Sequence, residues 1–232
     1  MKTTVRVWDL PTRSFHWSLV LLMIFSFVTA KVGGNWMRWH FLSGYAILSL
    51  ISFRVLWGFV GGRYARFTSF LFSPSQILQY VRGAPDAVKT LGHNPIGSLS
   101  VFALIGFVGL QATTGLFSND DISEEGPLVR FISNATSNWF TSIHHLNEKV
   151  LIVLVITHLA AVLFYLLRKR ENLIRPMISG DKLAEMQAGA AEVPELNTLA
   201  SRDDRGSRAL ALILLGICAL VVAFIVNWPA KT

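Results

Sequence analysis

Apolar residues in this chain are gathered into long runs separated by polar segments. Five runs, about Phe15–Val32, Trp39–Val60, Ile96–Phe117, Ile143–Leu167 and Ala209–Trp228, reach the roughly 20 residues that a helix needs to cross a bilayer. The pattern predicts an all-α membrane protein with five spans. Lys2, Arg6 and Arg13 precede the stretch Leu19–Ala30 much as the basic region of a signal peptide would. That basic region is long for the role, contains Asp9, and leads into further spans, so the first run reads as a retained helix.

The connecting segments differ in character. The first is short. The second, about Gly61 to Pro95, sets Tyr64, Phe67, Phe70, Leu71, Phe72, Ile77, Leu78 and Tyr80 among Arg63, Arg66, Arg82 and Lys89, which predicts a segment lying along the lipid headgroups. The third, Ser118 to Thr141, opens with Asn119, Asp120 and Asp121 and continues through Glu124 and Glu125. The fourth, Arg168 to Arg208, is polar, is expected to be helical only in its first part, and is interrupted by Pro176 and Pro194.

Composition sharpens this picture. Of 232 residues, 52% are apolar and only 15% charged, below the quarter or so of a soluble domain. The net charge of +7 comes from basic residues beside the apolar runs, with no basic and aromatic stripe for nucleic acid. The N-terminal arm, second loop and fourth loop, counting Arg54, hold 16 of the 21 lysines and arginines. The positive-inside rule then puts the N-terminus in the cytoplasm, and the 118–141 loop and the C-terminus outside. The single cysteine, Cys218, sits inside the last run, so there is neither a disulfide framework nor a CxxCH for covalent haem attachment. Any haem is non-covalent.

Ionisable residues inside membrane spans are costly and usually functional. His16 begins the first span on its cytoplasmic side, His40 begins the second on the outer side, and the fourth carries His144 near its outer end and His158 deeper. The 14 residues from His144 to His158 correspond to about 21 Å of helix and return to within about 40° of the same face. Topology pairs His144 with His40 and His158 with His16. Two opposed imidazoles on separate helices are what a six-coordinate haem iron needs. His145, 13 residues before His158, falls about 220° around the helix and reads as the wrong face. A helix–helix hydrogen bond would explain any one of these histidines alone. Zinc needs its ligands gathered around one metal, and a proton relay would recruit acids inside the spans, where only Glu148 qualifies. The four histidines in two depth-matched pairs favour haem.

Weaker candidates surround them. Gly44, one turn after His40, removes bulk where a haem plane could rest, and Gly106, Gly109 and Gly115 could do the same. Arg54 lies 14 residues after His40 on the same face, where it would meet propionates or set topology, and Arg13 and Arg38 are similar candidates. His93 reads as an interfacial residue or a propionate or quinone neighbour.

On these residues the chain resembles the bacterial cytochrome b-561 family and the cytochrome b subunits of nickel–iron hydrogenases. The resemblance rests on Arg13-Ser-Phe-His16-Trp17, on Trp39-His40 with Gly44 and Arg54, on Trp57-Gly58-Phe59 with Tyr64-Ala-Arg66-Phe67, and on His144 and His158. It covers roughly residues 5–178. Leu91-Gly-His-Asn-Pro95 and the ending at Pro176-Met look like small di-haem cytochromes b that partner c-type cytochromes. The resemblance implies a four-helix di-haem bundle over 1–178, with two haem b on His16, His40, His144 and His158. It further implies exchange of electrons with membrane quinone and an extracytoplasmic redox partner, in the bacterial inner membrane. Residues 179–208 are then a cytoplasmic linker and 209–232 a fifth C-terminal transmembrane helix, left to bundle packing, homo-oligomerisation or partner attachment.

Four activities fit to different degrees. The leading one is an electron-transfer cytochrome linking quinone to a c-type cytochrome, with Asp120, Asp121, Glu124 and Glu125 as a docking surface or simply a solvated loop. A superoxide:quinone oxidoreductase needs a cationic outer funnel, whereas Lys31, Arg38 and Arg130 lie beside four acids. The others are the membrane anchor of a hydrogenase or dehydrogenase, and a transporter with intramembrane histidines, which would be colourless.

Overall fold

The structure, a computed structural model, describes residues 2–84, 91–119, 124–185 and 200–229. Its elements in chain order are β1 (Lys2–Arg6), α1 (Leu10–Val32), α2 (Met37–Val60), α3 (Pro74–Val81), α4 (Pro95–Gly115), α5 (Asn134–Leu167), α6 (Ile174–Ser179), β2 (Asp181–Glu185) and α7 (Arg205–Val226). Five of the helices, α1, α2, α4, α5 and α7, are long and apolar enough to cross a membrane. In lipid the backbone must satisfy its own hydrogen bonds, and a continuous helix does so. The all-α membrane class holds.

Most helix starts lie ahead of the apolar runs, because polar caps set them. Asp9 Oδ1 accepts from the N–H of Thr12 at 2.8 Å and starts α1 at Leu10, not Phe15. Ser133 Oγ accepts from Thr136 N at 3.2 Å and starts α5 at Asn134, not Ile143. Asp204 Oδ1 accepts from Ser207 N at 2.7 Å and starts α7 at Arg205, not Ala209. At the far end of α4 the bonds tighten to i→i+3, Leu116 N to Thr113 O and Phe117 N to Thr114 O, and the helix stops at Gly115.

Chain contacts define two compact units, one of residues 1–14, 55–102 and 157–211, the other of 15–54, 103–156 and 212–232. In the first unit β1 and β2 pair antiparallel, with Thr4 opposite Leu183 and Arg6 opposite Asp181. The sequence reading had no strands here. Gly180, at φ 92°, ends α6 in the left-handed region, and its carbonyl accepts from Val7 N and Trp8 N at 2.9 and 3.0 Å. A Cβ at Gly180 would meet the Trp8 carbonyl oxygen at 2.7 Å, so this turn needs glycine. Arg6 donates to Asp181 at 2.6 Å and to Asp203 at 2.8 Å, and Arg208 donates to Asp203 at 2.9 Å. Ser201 N donates to the Arg6 carbonyl at 2.7 Å. The segment before α7 is thus bound to the N-terminal arm. Residues 186–199, Pro194 included, lie outside the described residues.

Asp9 is fully buried and gathers three donors: Thr12 N, Gly62 N at 3.1 Å and the Trp57 indole N–H at 3.2 Å. The amphipathic second loop contains α3, opened by a capping box between Ser73 and Gln76. Tyr80 of α3 meets Tyr165 of α5 hydroxyl to hydroxyl at 2.9 Å, and Asn94 Nδ2 donates to the same Tyr165 oxygen at 2.8 Å. His93 packs between Trp8 and Phe70, with ring centroids 4.7 and 4.4 Å away. Lys89 lies outside the described residues.

In the second unit the chain after α4 turns back on itself. Gly126 N donates to Ser118 O and Leu128 N to Leu116 O, while Asn119 and Glu125 form a β-bridge. Ser137, fully buried in α5, donates to the Phe117 carbonyl at 2.8 Å. Asn147 of α5 donates to Gln111 Oε1 at 2.7 Å and to the Phe107 carbonyl at 2.9 Å, which fixes α5 to α4. The Arg130 guanidinium donates to the Trp228 carbonyl after α7.

Candidate functional site

The second unit encloses a cavity of about 780 Å³, in the range of cofactor sites. Its walls come from α1, α2, α4 and α5, and His40 and His144 both line it. The tight Gly33–Gly34 connection, with left-handed φ values of 67° and 54°, returns the chain into α2 so that His40 stands in its first turn opposite Ser26 of α1. His144 lies in α5 opposite the last turn of α4.

Each ring is oriented through Nδ1. The Ser26 carbonyl lies 2.9 Å from His40 Nδ1, and because a carbonyl can only accept, that nitrogen carries the proton. Thr114 Oγ1 gives its proton to the Leu110 carbonyl at 2.8 Å, so it accepts from His144 Nδ1 at 3.1 Å. Nε2 of each imidazole is therefore the nitrogen presented for a metal, the arrangement that metal-binding histidines commonly use.

The separation fits a shared iron. The ring centroids are 6.1 Å apart and the planes are at 90°. Two imidazoles bonded through Nε2 to one metal at about 2.0 Å, with about 1.1 Å from nitrogen to ring centre, would have centroids about 6.2 Å apart. Glycines clear the walls. Gly44 lines the cavity and an added Cβ there would meet nothing within 4 Å, whereas one at Gly115 would sit 3.2 Å from His144 Cε1. No group of three or more His, Cys, Asp or Glu able to hold a metal occurs among the described residues, so a closed zinc site does not form there. The cavity walls and the two imidazoles fit haem.

The remaining sequence candidates fall as follows. His16 lies on α1 in the second unit, edge-on to Trp17 at 5.0 Å between centroids, and His158 lies on α5 in the first unit. Arg54 is buried in α2 at 3% exposure. Arg13 donates to the Ile178 carbonyl at 2.5 Å and lies 3.9 Å from Asp203, so its guanidinium serves the arm contacts. His145 also lines the cavity, from an exposed position next to His144. The site further includes Ser26 and Thr114, which sequence reasoning passed over, and Lys31, which it weighed only as part of a cationic outer surface. The two hydroxyl residues each stand in a span near a histidine's depth, the one signal that could have found them. Of the acidic loop, Asp120 and Asp121 lie outside the described residues.

Five apolar helices among the described residues, with a cavity lined by His40 and His144, are the features of a multi-pass membrane protein. The chain belongs to the prokaryotic cytochrome b561 family, which it matches over residues 7–180. It is a membrane b-type cytochrome of electron transfer, and its cofactor is haem b. Among its relatives is a probable Ni/Fe-hydrogenase B-type cytochrome subunit of Bradyrhizobium diazoefficiens, 23% identical over 220 residues, covering 78% of this chain and 87% of the relative. Proteins of the same description from Azotobacter vinelandii, 24% identical over 217 residues, and Rhizobium leguminosarum bv. viciae, 25% over 219, cover 77% and 78% of this chain and 88% and 90% of their own lengths. No solved structure matches the chain.

Proposed function

We propose that the chain holds two haem b, one between His40 and His144 and one between His16 and His158, and passes electrons between membrane quinone and an extracytoplasmic redox partner. The observation that supports this most is the His40–His144 pair, 6.1 Å between centroids across a cavity that both rings line. Held by these histidine pairs, haem would supply one-electron exchange and would have no position left for a substrate. The chain's own residues do the rest. Ser26 and Thr114 fix the tautomer and aim of the imidazoles, Gly44 keeps the wall flat, and the apolar lining excludes water. Arg54 would compensate propionate charge at the inner haem.

The lysine and arginine bias supports a cytoplasmic N-terminus in the bacterial inner membrane. Residues 1–178 form the cytochrome core, and the chain beyond them carries the fifth span, α7. For the partner, a c-type cytochrome is the first reading. The relatives' description as hydrogenase cytochrome subunits favours a second, in which a hydrogenase-type catalytic subunit takes the same outer position.

Haem content per chain tests the ligand set. The wild type is expected to hold two haems, and His16→Ala, His40→Ala, His144→Ala and His158→Ala one each. Two haems retained in any of these variants would remove that histidine from the set.

A further inference from the structure

Haem b carries two carboxylates, and a carboxylate held against an apolar wall requires a cation or strong donors. The cavity that holds His40 and His144 has one lysine or arginine on its lining among the described residues, Lys31 in the last turn of α1. Its Nζ lies 2.7 Å from Glu148 Oε1 of α5, which lines the same cavity. The Lys31 side chain is 58% exposed and that of Glu148 27%, so the ammonium reaches from the open edge toward the less accessible acid. The Nζ also lies 5.2 Å from the centre of the Phe27 ring, another lining residue. Gly33 and Gly34, just beyond Val32, line the same cavity, and an added Cβ at either would meet nothing within 4 Å. The rim beside Lys31 is therefore open at these two glycines.

We propose that Lys31 is the cation that receives a propionate carboxylate of the haem held by His40 and His144, and that Glu148 opposes its charge and trims that haem's potential. The proposal rests on the ligand reading above. Its sign follows from charge alone. A cation beside the cavity favours the reduced form, which carries one positive charge fewer, and an anion favours the oxidised form. A unit charge there changes the ferrous-to-ferric equilibrium roughly tenfold at an effective dielectric of about 20, which is about 59 mV for one electron.

The experiment is a redox titration of the full-length, haem-loaded protein as wild type, Lys31→Met, Lys31→Arg and Glu148→Gln, with haem content measured alongside. Lys31→Met is expected to lower one of the two potentials by about 59 mV, or to release that one haem. Lys31→Arg is expected to restore it, and Glu148→Gln to raise the same potential. An unmoved potential with full haem content in Lys31→Met, loss of haem in Lys31→Arg equal to that in Lys31→Met, or a fall in Glu148→Gln would overturn the proposal. His144→Ala separates the two readings. If it loses one haem while Lys31→Met shifts nothing, the Lys31 role alone fails; if it keeps both haems, the ligand reading fails.

Discussion

Replacing Asp9 by alanine should be among the most damaging single changes in the chain, although Asp9 touches no haem candidate. Its carboxylate is fully buried and accepts from Thr12 N at 2.8 Å, Gly62 N at 3.1 Å and Trp57 Nε1 at 3.2 Å. Loss of the cap at the start of α1 costs about 1 kcal/mol. The Gly62 amide and the indole of fully buried Trp57 then lose their acceptor, at about 1–3 kcal/mol each. The expected loss is about 3–7 kcal/mol, nearer the lower figure if water enters the space. Asp9→Asn keeps an acceptor oxygen but turns an NH2 group toward at least one donor, and should lose about 1–3 kcal/mol. The effect should reach the haem region, because α1 carries His16 seven residues, about two turns, beyond the cap. Unfolding by sodium dodecyl sulfate in mixed micelles, followed by tryptophan fluorescence and haem absorbance, measures both variants. An Asp9→Ala protein within about 0.5 kcal/mol of wild type, the range of ordinary surface changes, would refute the reasoning.

Two further changes probe the ligands and the arm. Thr114→Val removes the acceptor that orients His144 Nδ1, and loss of such a partner weakens metal-centre affinity by about 10–100-fold. Transfer of haem to an excess of a soluble haem-binding protein should be faster by a similar factor, and wild-type kinetics would count against the hydrogen bond's role. Burial alone would raise the Asp203 carboxyl, but donation from Arg208, the Leu10 amide and Arg6 holds it below its ordinary value of 3.8. The stability this gives is complete above the ordinary value and is lost as pH falls through the lowered folded value. Thermal stability of wild type should therefore decline more steeply than that of Asp203→Asn below about pH 4. Parallel curves would exclude Asp203 as the acid-sensitive tie.

The membrane class and the meeting of His40 with His144 were legible because both signals are local. A run of apolar residues declares a span, and an imidazole inside it is conspicuous. The helix starts were less so, since Asp9, Ser133 and Asp204 stand in polar sequence outside the runs, although each is a recognisable capping residue. The sheet was hidden for a different reason. Lys2–Arg6 and Asp181–Glu185 are too polar to alternate visibly, and nothing in either segment names a partner so far along the chain. Lys31 reads in sequence only as one of three cations on the outer face. Only its meeting with Glu148 from another helix gives it a role.

Electron paramagnetic resonance of the oxidised, full-length protein tests the central claim most directly. With the His40 and His144 planes at 90°, an iron bound by both should give a low-spin ferric signal of high anisotropy. That signal should be present in wild type, absent in His40→Ala and His144→Ala, and unaffected by cyanide. A high-spin signal that responds to added ligand would mean that one imidazole is not on the iron, and would contradict the account.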